Sequence, residues 1–308
     1  MFTIDFQYKG LNLSSRFPWK IGIVSFMAFP SMMKGEGDIP GFFKKIGSDP
    51  FFELFEVCAL TEDRWSQIKP LLAGKFVARG LQPELLTRKL DLNSMDSMER
   101  AKAIDYVKEE IDIATRRGIS NLALCSGPDP GEDLRGKAHE ILVKSLKEIC
   151  GYAASRGVTI LLENFDREYD KRLLIGPTEE ALDVIRKVRS EHANIGLLWD
   201  LSHAPMLSED PKVLRNAASL LSHVHIGCTK EFQGKLLDTH PVFYTPGAIN
   251  TEVEVSSLLS ELWNIGYKGM ISFEVRPEEG QTSDGIIAQA KAALMDAYRL
   301  MLLQILKG

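Results

Sequence analysis

Short apolar runs bounded by turn residues recur at positions 20–26, 52–59, 75–80, 120–125, 158–163, 195–200, 222–226 and 270–275, and the pattern predicts eight strands. Between them the apolar positions take helical spacing. Met98, Ala101, Ile104, Val107, Ile111 and Ala114 form one stripe, and Ala138, Ile141, Leu142, Ser145, Ile149 and Ala153 form another. Ser97 and Thr178 stand at helix starts with acidic residues behind them, and Gly118 and Gly157 stand at helix ends. Further helices are expected at 62–72, 209–220, 256–265 and 284–306, whereas the first crossover, near 41–47, reads as short.

Strand and helix alternating eight times predict an α/β fold, a single (β/α)8 TIM barrel. Right-handed crossovers between parallel strands wind the sheet in one direction until it meets itself. An open doubly wound sheet would carry a glycine-rich phosphate turn after its first strand, and Val24-Ser25-Phe26-Met27-Ala28-Phe29 is no such turn. One domain over 1–308 accounts for the length, with residues 1–19 as an N-terminal extension at the barrel bottom and 281–308 as a long C-terminal helix.

Composition narrows the classes without choosing among enzymes. Hydrophobic residues at 44% and charged residues at 26% describe an ordinary globular chain. With 37 Lys and Arg against 42 Asp and Glu, the net charge of −5 argues against a nucleic-acid or anionic-membrane footprint. No secretory signal and no membrane span is expected, which points to the cytoplasm. Cys58, Cys125, Cys150 and Cys228 are scattered and read as buried free thiols.

Chemistry enters at the strand ends. In such a barrel the reacting groups sit at the carboxyl ends of strands and in the loops that follow. Four successive strands deliver a potential metal ligand there: Glu163, Asp200, His225 and Glu274. Charged groups closing apolar strands are costly to bury without a partner, and four at one rim call for a shared divalent cation. Three carboxylates and one imidazole suit Mn²⁺, Co²⁺, Mg²⁺ or Zn²⁺ without selecting among them. Glu56 either faces the barrel interior as a partner of such ligands or pairs with a nearby Lys or Arg, and Arg276, two residues beyond Glu274 on the same face, either holds a substrate or fixes that carboxylate. An apolar wall for a sugar ring is sought among Trp19, Phe26, Phe29, Trp199 and Phe243.

Leu161-Leu162-Glu163-Asn164, Leu198-Trp199-Asp200-Leu201-Ser202-His203, His223-Val224-His225 and Ile271-Ser272-Phe273-Glu274 resemble the metal-site motifs of the xylose isomerase-like TIM-barrel superfamily. That superfamily includes ketose 3-epimerases and the endonuclease IV type of nuclease. The resemblance implies that Glu163, Asp200, His225 and Glu274 bind one metal, with Glu163 and Glu274 doubling as the proton-transfer pair. It also implies that His203, Asp238 and His240 contact substrate or hold a second ion. Where ketose 3-epimerases carry an Arg shortly after the strand-seven His, this chain has Thr229-Lys230-Glu231, leaving Lys230 as a different kind of contact. The strand ends Val77-Ala78-Arg79-Gly80 and Leu124-Cys125-Ser126-Gly127 lack the His ligands of the nuclease branch.

The expected activity is that of a metal-dependent sugar or polyol isomerase or epimerase moving a proton through a metal-stabilised enediolate. Dehydration of a cyclic polyol or keto acid is the alternative, and metal-dependent phosphoester hydrolysis a third. The expected partner is a small sugar or polyol, and the last helix offers a surface for a homo-oligomer.

Overall fold

The computed structural model describes residues 2–307. The chain opens with an antiparallel hairpin, β1 (Thr3–Tyr8) and β2 (Leu11–Arg16), ahead of the barrel. The barrel strands are β3 (Lys20–Val24), β4 (Leu54–Val57), β5 (Phe76–Gly80), β6 (Asn121–Cys125), β7 (Thr159–Glu163), β8 (Ile195–Asp200) and β9 (Leu221–Ile226). A small hairpin, β10 (Lys230–Phe232) and β11 (Lys235–Leu237), follows, and β12 (Met270–Phe273) completes the set. Each barrel strand pairs in parallel with the next, and β12 lies between β9 and β3, closing the eight-stranded barrel the alternation predicts.

The strands alternate inward and outward, which separates two kinds of core. Outward residues such as Ile160, Leu162, Leu197, Trp199, Val224 and Phe273 are buried under the helices. Inward, Ala123, Leu161 and Leu198 form a separate small cluster, and above it the inward positions turn polar. The long helices α5 (Ser97–Arg117), α6 (Glu132–Ala154) and α9 (Ser283–Ile305) cover the outside with their apolar faces. Asp96, one residue before the expected start, caps α5 by accepting from the N–H groups of Met98 and Glu99. Among the described residues no helix is long and apolar enough to cross a membrane.

The N-terminal hairpin packs against the last helix. The Tyr298 hydroxyl donates to the Arg16 carbonyl at 2.9 Å and shares a 2.8 Å hydrogen bond with the Ser15 hydroxyl, while Tyr8 donates to the Leu306 carbonyl at 2.9 Å. Trp19, next to the start of β3, donates its indole N–H to the Tyr267 carbonyl at 3.0 Å.

Several boundaries differ from the sequence expectation. The helix expected at 209–220 is replaced by the 3₁₀ segment Pro211–Ala217, and another, Ala204–Leu207, precedes it. Pro211 opens this segment, with Asp210 capping it through the Lys212 N–H, because a proline in the first turn gives up no intrahelical hydrogen bond. The segment expected at 62–72 is an α-helix only over Glu62–Ile68, and Pro70 sits in the 3₁₀ turn Lys69–Leu72 that follows. β3 ends at Val24 because Ser25–Ala28 already turns helical, and β12 ends at Phe273, leaving Glu274 just past the strand. The hairpin β10–β11 was not expected.

Candidate active site at the carboxyl end of the barrel

Glu163 is the last residue of β7 and Asp200 the last of β8, while His225 lies one residue from the end of β9 and Glu274 follows β12. Strand register brings them to one rim: Asp200 pairs with His225, and His225 pairs with Ser272, two before Glu274. An irregularity between β8 and β9 matters here, since Leu197 pairs with Leu221 but Leu198 with His223, leaving Ser222 as the extra residue. Past that bulge, His223 and His225 both face inward. Gly196 permits it, because a Cβ there would meet the Ser222 hydroxyl at 1.9 Å and the Leu220 carbonyl at 3.1 Å.

One potential ligand atom from each of Glu163, Asp200, His225 and Glu274 lies within 4.8 Å of the others. All are deeply buried except Glu274, which is partly open to the cavity. Nδ1 of His225 stands 2.5 Å from Oε2 of Glu274 and 3.8 Å from Oε1 of Glu163. Yet neither His225 Nδ1 nor Glu274 Oε2 has a hydrogen-bond partner. Buried polar atoms that crowd together without the alignment of a hydrogen bond are aimed at something between them. The donor set, three carboxylates and an imidazole, is that of a divalent ion site, and these residues fit one.

Three of the four residues are also held from behind. Gln82 donates to Oε2 of Glu163 at 2.6 Å, and the Ser202 N–H donates to Oδ1 of Asp200 at 2.9 Å while its hydroxyl donates to Oδ2. Nε2 of His225 meets both oxygens of Glu56, at 3.2 and 3.1 Å, and His223 reaches Oε1 of the same carboxylate at 2.9 Å. Ser272 extends this chain, its hydroxyl 3.2 Å from Nε2 of His223.

Burial pushes Glu163 up to about 8, with the neighbouring Glu274 carboxylate adding to the rise. Burial would also raise Glu274, but the His240 and His225 imidazoles outweigh it and hold that carboxyl below its ordinary value. Glu56 is likewise buried, and the His225 and His223 imidazoles hold it well below the usual carboxylate range. Burial disfavours the charged form of His225, yet the Glu56 and Glu274 carboxylates lift it well above its ordinary value. A dication at the centre of such a group would take over the role of the protons that these shifts retain.

Beside this cluster, Asp238 lies between two imidazoles. Its Oδ1 is 2.7 Å from Nε2 of His240 and 3.3 Å from Nε2 of His203. Nδ1 of His203 donates to the Asn164 carbonyl at 2.8 Å, which turns Nε2 toward Asp238 and Asp200. Burial works against charge on both rings, but Asp238 and Asp200 raise His203 to about 10, and Glu274 and Asp238 raise His240 to about 9. His240 has φ 52, a left-handed conformation that side-chain-bearing residues adopt uncommonly. Its carbonyl is held by the Arg276 N–H at 2.7 Å.

A cavity of about 290 Å³ opens onto the cluster, lined by Glu56, Glu163, His225, Asp238, His240 and Glu274 among others. Of the aromatic residues sought for a wall, only Phe26 lines it; Trp19, Trp199 and Phe243 belong to the core, and Phe29 is partly buried against that core. Phe165 lines it instead, its ring 4.4 Å from that of His203. Arg276 is at the cavity, whereas Lys230 is paired with Glu278 and lies off it. Sequence reasoning missed Gln82, Lys171, Ser202 and His223 as members of the site. Ser202 and His223 were signalled by their spacing from Asp200 and His225; Gln82 and Lys171, on a short helix and in a loop, carried no such signal.

A barrel carrying this cluster defines a class, and the sequence agrees. The chain belongs to the xylose isomerase-like TIM barrel family, whose sequence model matches residues 45–293. Among solved structures, it resembles D-psicose 3-epimerase with D-tagatose from Clostridium cellulolyticum H10, at 19% identity and TM-score 0.67, covering 92% of this chain and 98% of that one. It also resembles the IOLI protein with a binding zinc atom, at 17% identity and TM-score 0.71, covering 90% and 97%. An L-ribulose 3-epimerase matches at 20% identity and TM-score 0.67, covering 92% and 97%. No curated protein matches the chain in sequence.

Proposed function

We propose that this protein is a metal-dependent sugar isomerase or epimerase, with Glu163, Asp200, His225 and Glu274 holding one divalent ion. The observation that carries the reading is the convergence of their four ligand atoms within 4.8 Å, with His225 Nδ1 and Glu274 Oε2 buried side by side and neither making a hydrogen bond. The folds it resembles include two ketose 3-epimerases, which favours the same class of chemistry.

When bound, the ion supplies positive charge that stabilises the enediolate formed as a proton leaves the carbon beside a carbonyl. The chain's own residues do the rest. Glu163, at the end of β7, and Glu274, just past β12, are the pair that removes and returns a proton in this reading. Gln82 fixes the orientation of the Glu163 carboxylate, and Ser202 fixes that of Asp200. His240, which lines the cavity and is oriented by Asp238, is the imidazole to meet a substrate hydroxyl, while His203 holds Asp238 from the other side. Phe26 and Phe165 exclude water from the reacting end.

The test is solvent exchange. Protein loaded with Mn²⁺ or Co²⁺ is incubated with ketoses in D₂O and followed by NMR. Deuterium entering at the carbon beside the carbonyl, without loss of the β-hydroxyl, is the expected result. Loss of that hydroxyl would replace the reading with a dehydratase, and absence of metal uptake would remove it.

A further inference from the structure

Away from the carboxylate cluster, the cavity wall is largely apolar, formed by Phe26, Met27, Met33, Leu86 and Phe165. Its few polar groups there are mostly committed. Gln82 donates to Glu163, and Lys171 is held by Asp170 at 2.8 Å and Asp238 at 3.2 Å. Arg276 is different. Its side chain is exposed at the cavity, and among the described residues its guanidinium has no hydrogen bond, ion pair or ring contact. The acid two residues further on, Glu278, is already taken by Lys230.

The root of Arg276 is nonetheless fixed. Its N–H donates to the His240 carbonyl at 2.7 Å, the segment pairs with Pro241 as a parallel bridge, and Glu274 is two residues before it. A planar cation on a fixed root, unpaired and beside an apolar wall, is a receptor for a planar or tetrahedral oxyanion, which a guanidinium meets with two parallel hydrogen bonds. A neutral hydroxyl would use only one of those donors.

We propose that Arg276 is a specificity-determining residue that binds a carboxylate or phosphate at the end of the substrate remote from its carbonyl, so that the substrate is an acidic sugar or a sugar phosphate. The inference rests on the isomerase reading above, because that reading places the carbonyl at the Glu163–Glu274 cluster. A substrate held by its carbonyl at the cluster and by its anionic end at Arg276 then has one orientation.

The experiment compares three ketoses on Mn²⁺-loaded protein: D-tagatose, D-tagatose 6-phosphate and D-tagaturonate. Binding is read from Mn²⁺ water-proton relaxation and from the shift in melting temperature. One of the two anionic ketoses should bind about tenfold or more tighter than the neutral one, and the one that gains identifies the group as phosphate or carboxylate. Arg276→Gln should bring the preference to within about twofold, and Arg276→Lys should restore part of it. Equal binding of neutral and anionic ketoses, or a preference that survives Arg276→Gln, overturns the proposal. Metal uptake is read in the same titrations: a protein that takes up no Mn²⁺ refutes the isomerase reading, whereas one that takes it up and shows no anion preference refutes the role of Arg276 alone.

Discussion

Glu56 sets both carboxylate oxygens against Nε2 of His225, at 3.2 and 3.1 Å, and so turns Nδ1 of the same ring toward Glu274 and Glu163. A carboxylate behind an imidazole fixes the ring's tautomer and raises the basicity of the nitrogen in front. Glu56 also carries His223, so its charge is shared between two rings. Glu56→Gln should keep the volume while removing the charge, and lower Mn²⁺ affinity about 10- to 100-fold. Isothermal titration with Mn²⁺ measures this, and an unchanged affinity in a folded variant would leave Glu56 without that role.

Glu163 and Glu274 are expected to separate from each other when mutated. Burial already favours the neutral form of Glu163, so Glu163→Gln resembles the carboxyl it replaces and should melt close to the parent in the absence of metal. Glu274 is held low by imidazoles, and Glu274→Gln leaves those rings without their counter-charge. Both variants should slow deuterium exchange into a bound ketose by about 10²- to 10⁴-fold, the range for a lost proton-transfer group. Only Glu274→Gln should also lower the metal-free melting temperature.

The barrel and its four converging residues were legible because both depend on period-two alternation. Ile160, Leu162 and Trp199 point to the helices, so Glu163 and Asp200 had to point inward at the strand ends. What stayed hidden lies where backbone geometry departs from that period. The Ser222 bulge decides which face His223 and His225 take, and its only trace in sequence is a small residue opposite Gly196. Lys171 reaches Asp238 because buried Asp166 accepts from the N–H groups of Tyr169, Asp170 and Lys171 at 2.6 to 2.7 Å and curls the loop inward. Such a loop has no hydrophobic signature. At 209–220 the start at Pro211 was readable, since proline favours a first turn, but the apolar spacing does not separate a 3₁₀ segment from an α-helix.

Two glycines predict opposite outcomes for the same substitution. A Cβ on Gly227 would meet the Glu274 carbonyl at 2.6 Å and Nδ1 of His240 at 3.1 Å. Backbone cannot yield cheaply there, so Gly227→Ala should cost about 1–3 kcal/mol and displace the two residues it presses on. Gly136 lies exposed within α6 and a Cβ there would meet nothing within 4 Å. Gly136→Ala should therefore stabilise the protein by about 0.5–1 kcal/mol through helix propensity. Urea denaturation of both variants settles the pair, and a Gly227→Ala protein as stable as its parent would show that the rim is softer than its spacing indicates.

Acid should also expose a structural ion-pair group outside the carboxylate cluster. Glu180 bonds to Arg167 and lies 3.4 Å from Nε2 of His139. Burial alone would raise its pKa, but those hydrogen bonds prevail and lower it to about 2, against 4.5 for an unperturbed glutamate. The unfolded chain then binds this proton before the folded one does as pH falls. The stabilisation is fully present above the unfolded value and is lost progressively on acidification toward the folded one. Discounted for partial exposure, it is on the order of 2 kcal/mol. Glu180→Gln should thus be less stable than the parent at pH 6, and the gap should narrow steadily between pH 5 and pH 3. Urea titrations at stepped pH measure it; a gap that stays constant down to pH 3 would mean that Glu180 contributes through shape and not through charge.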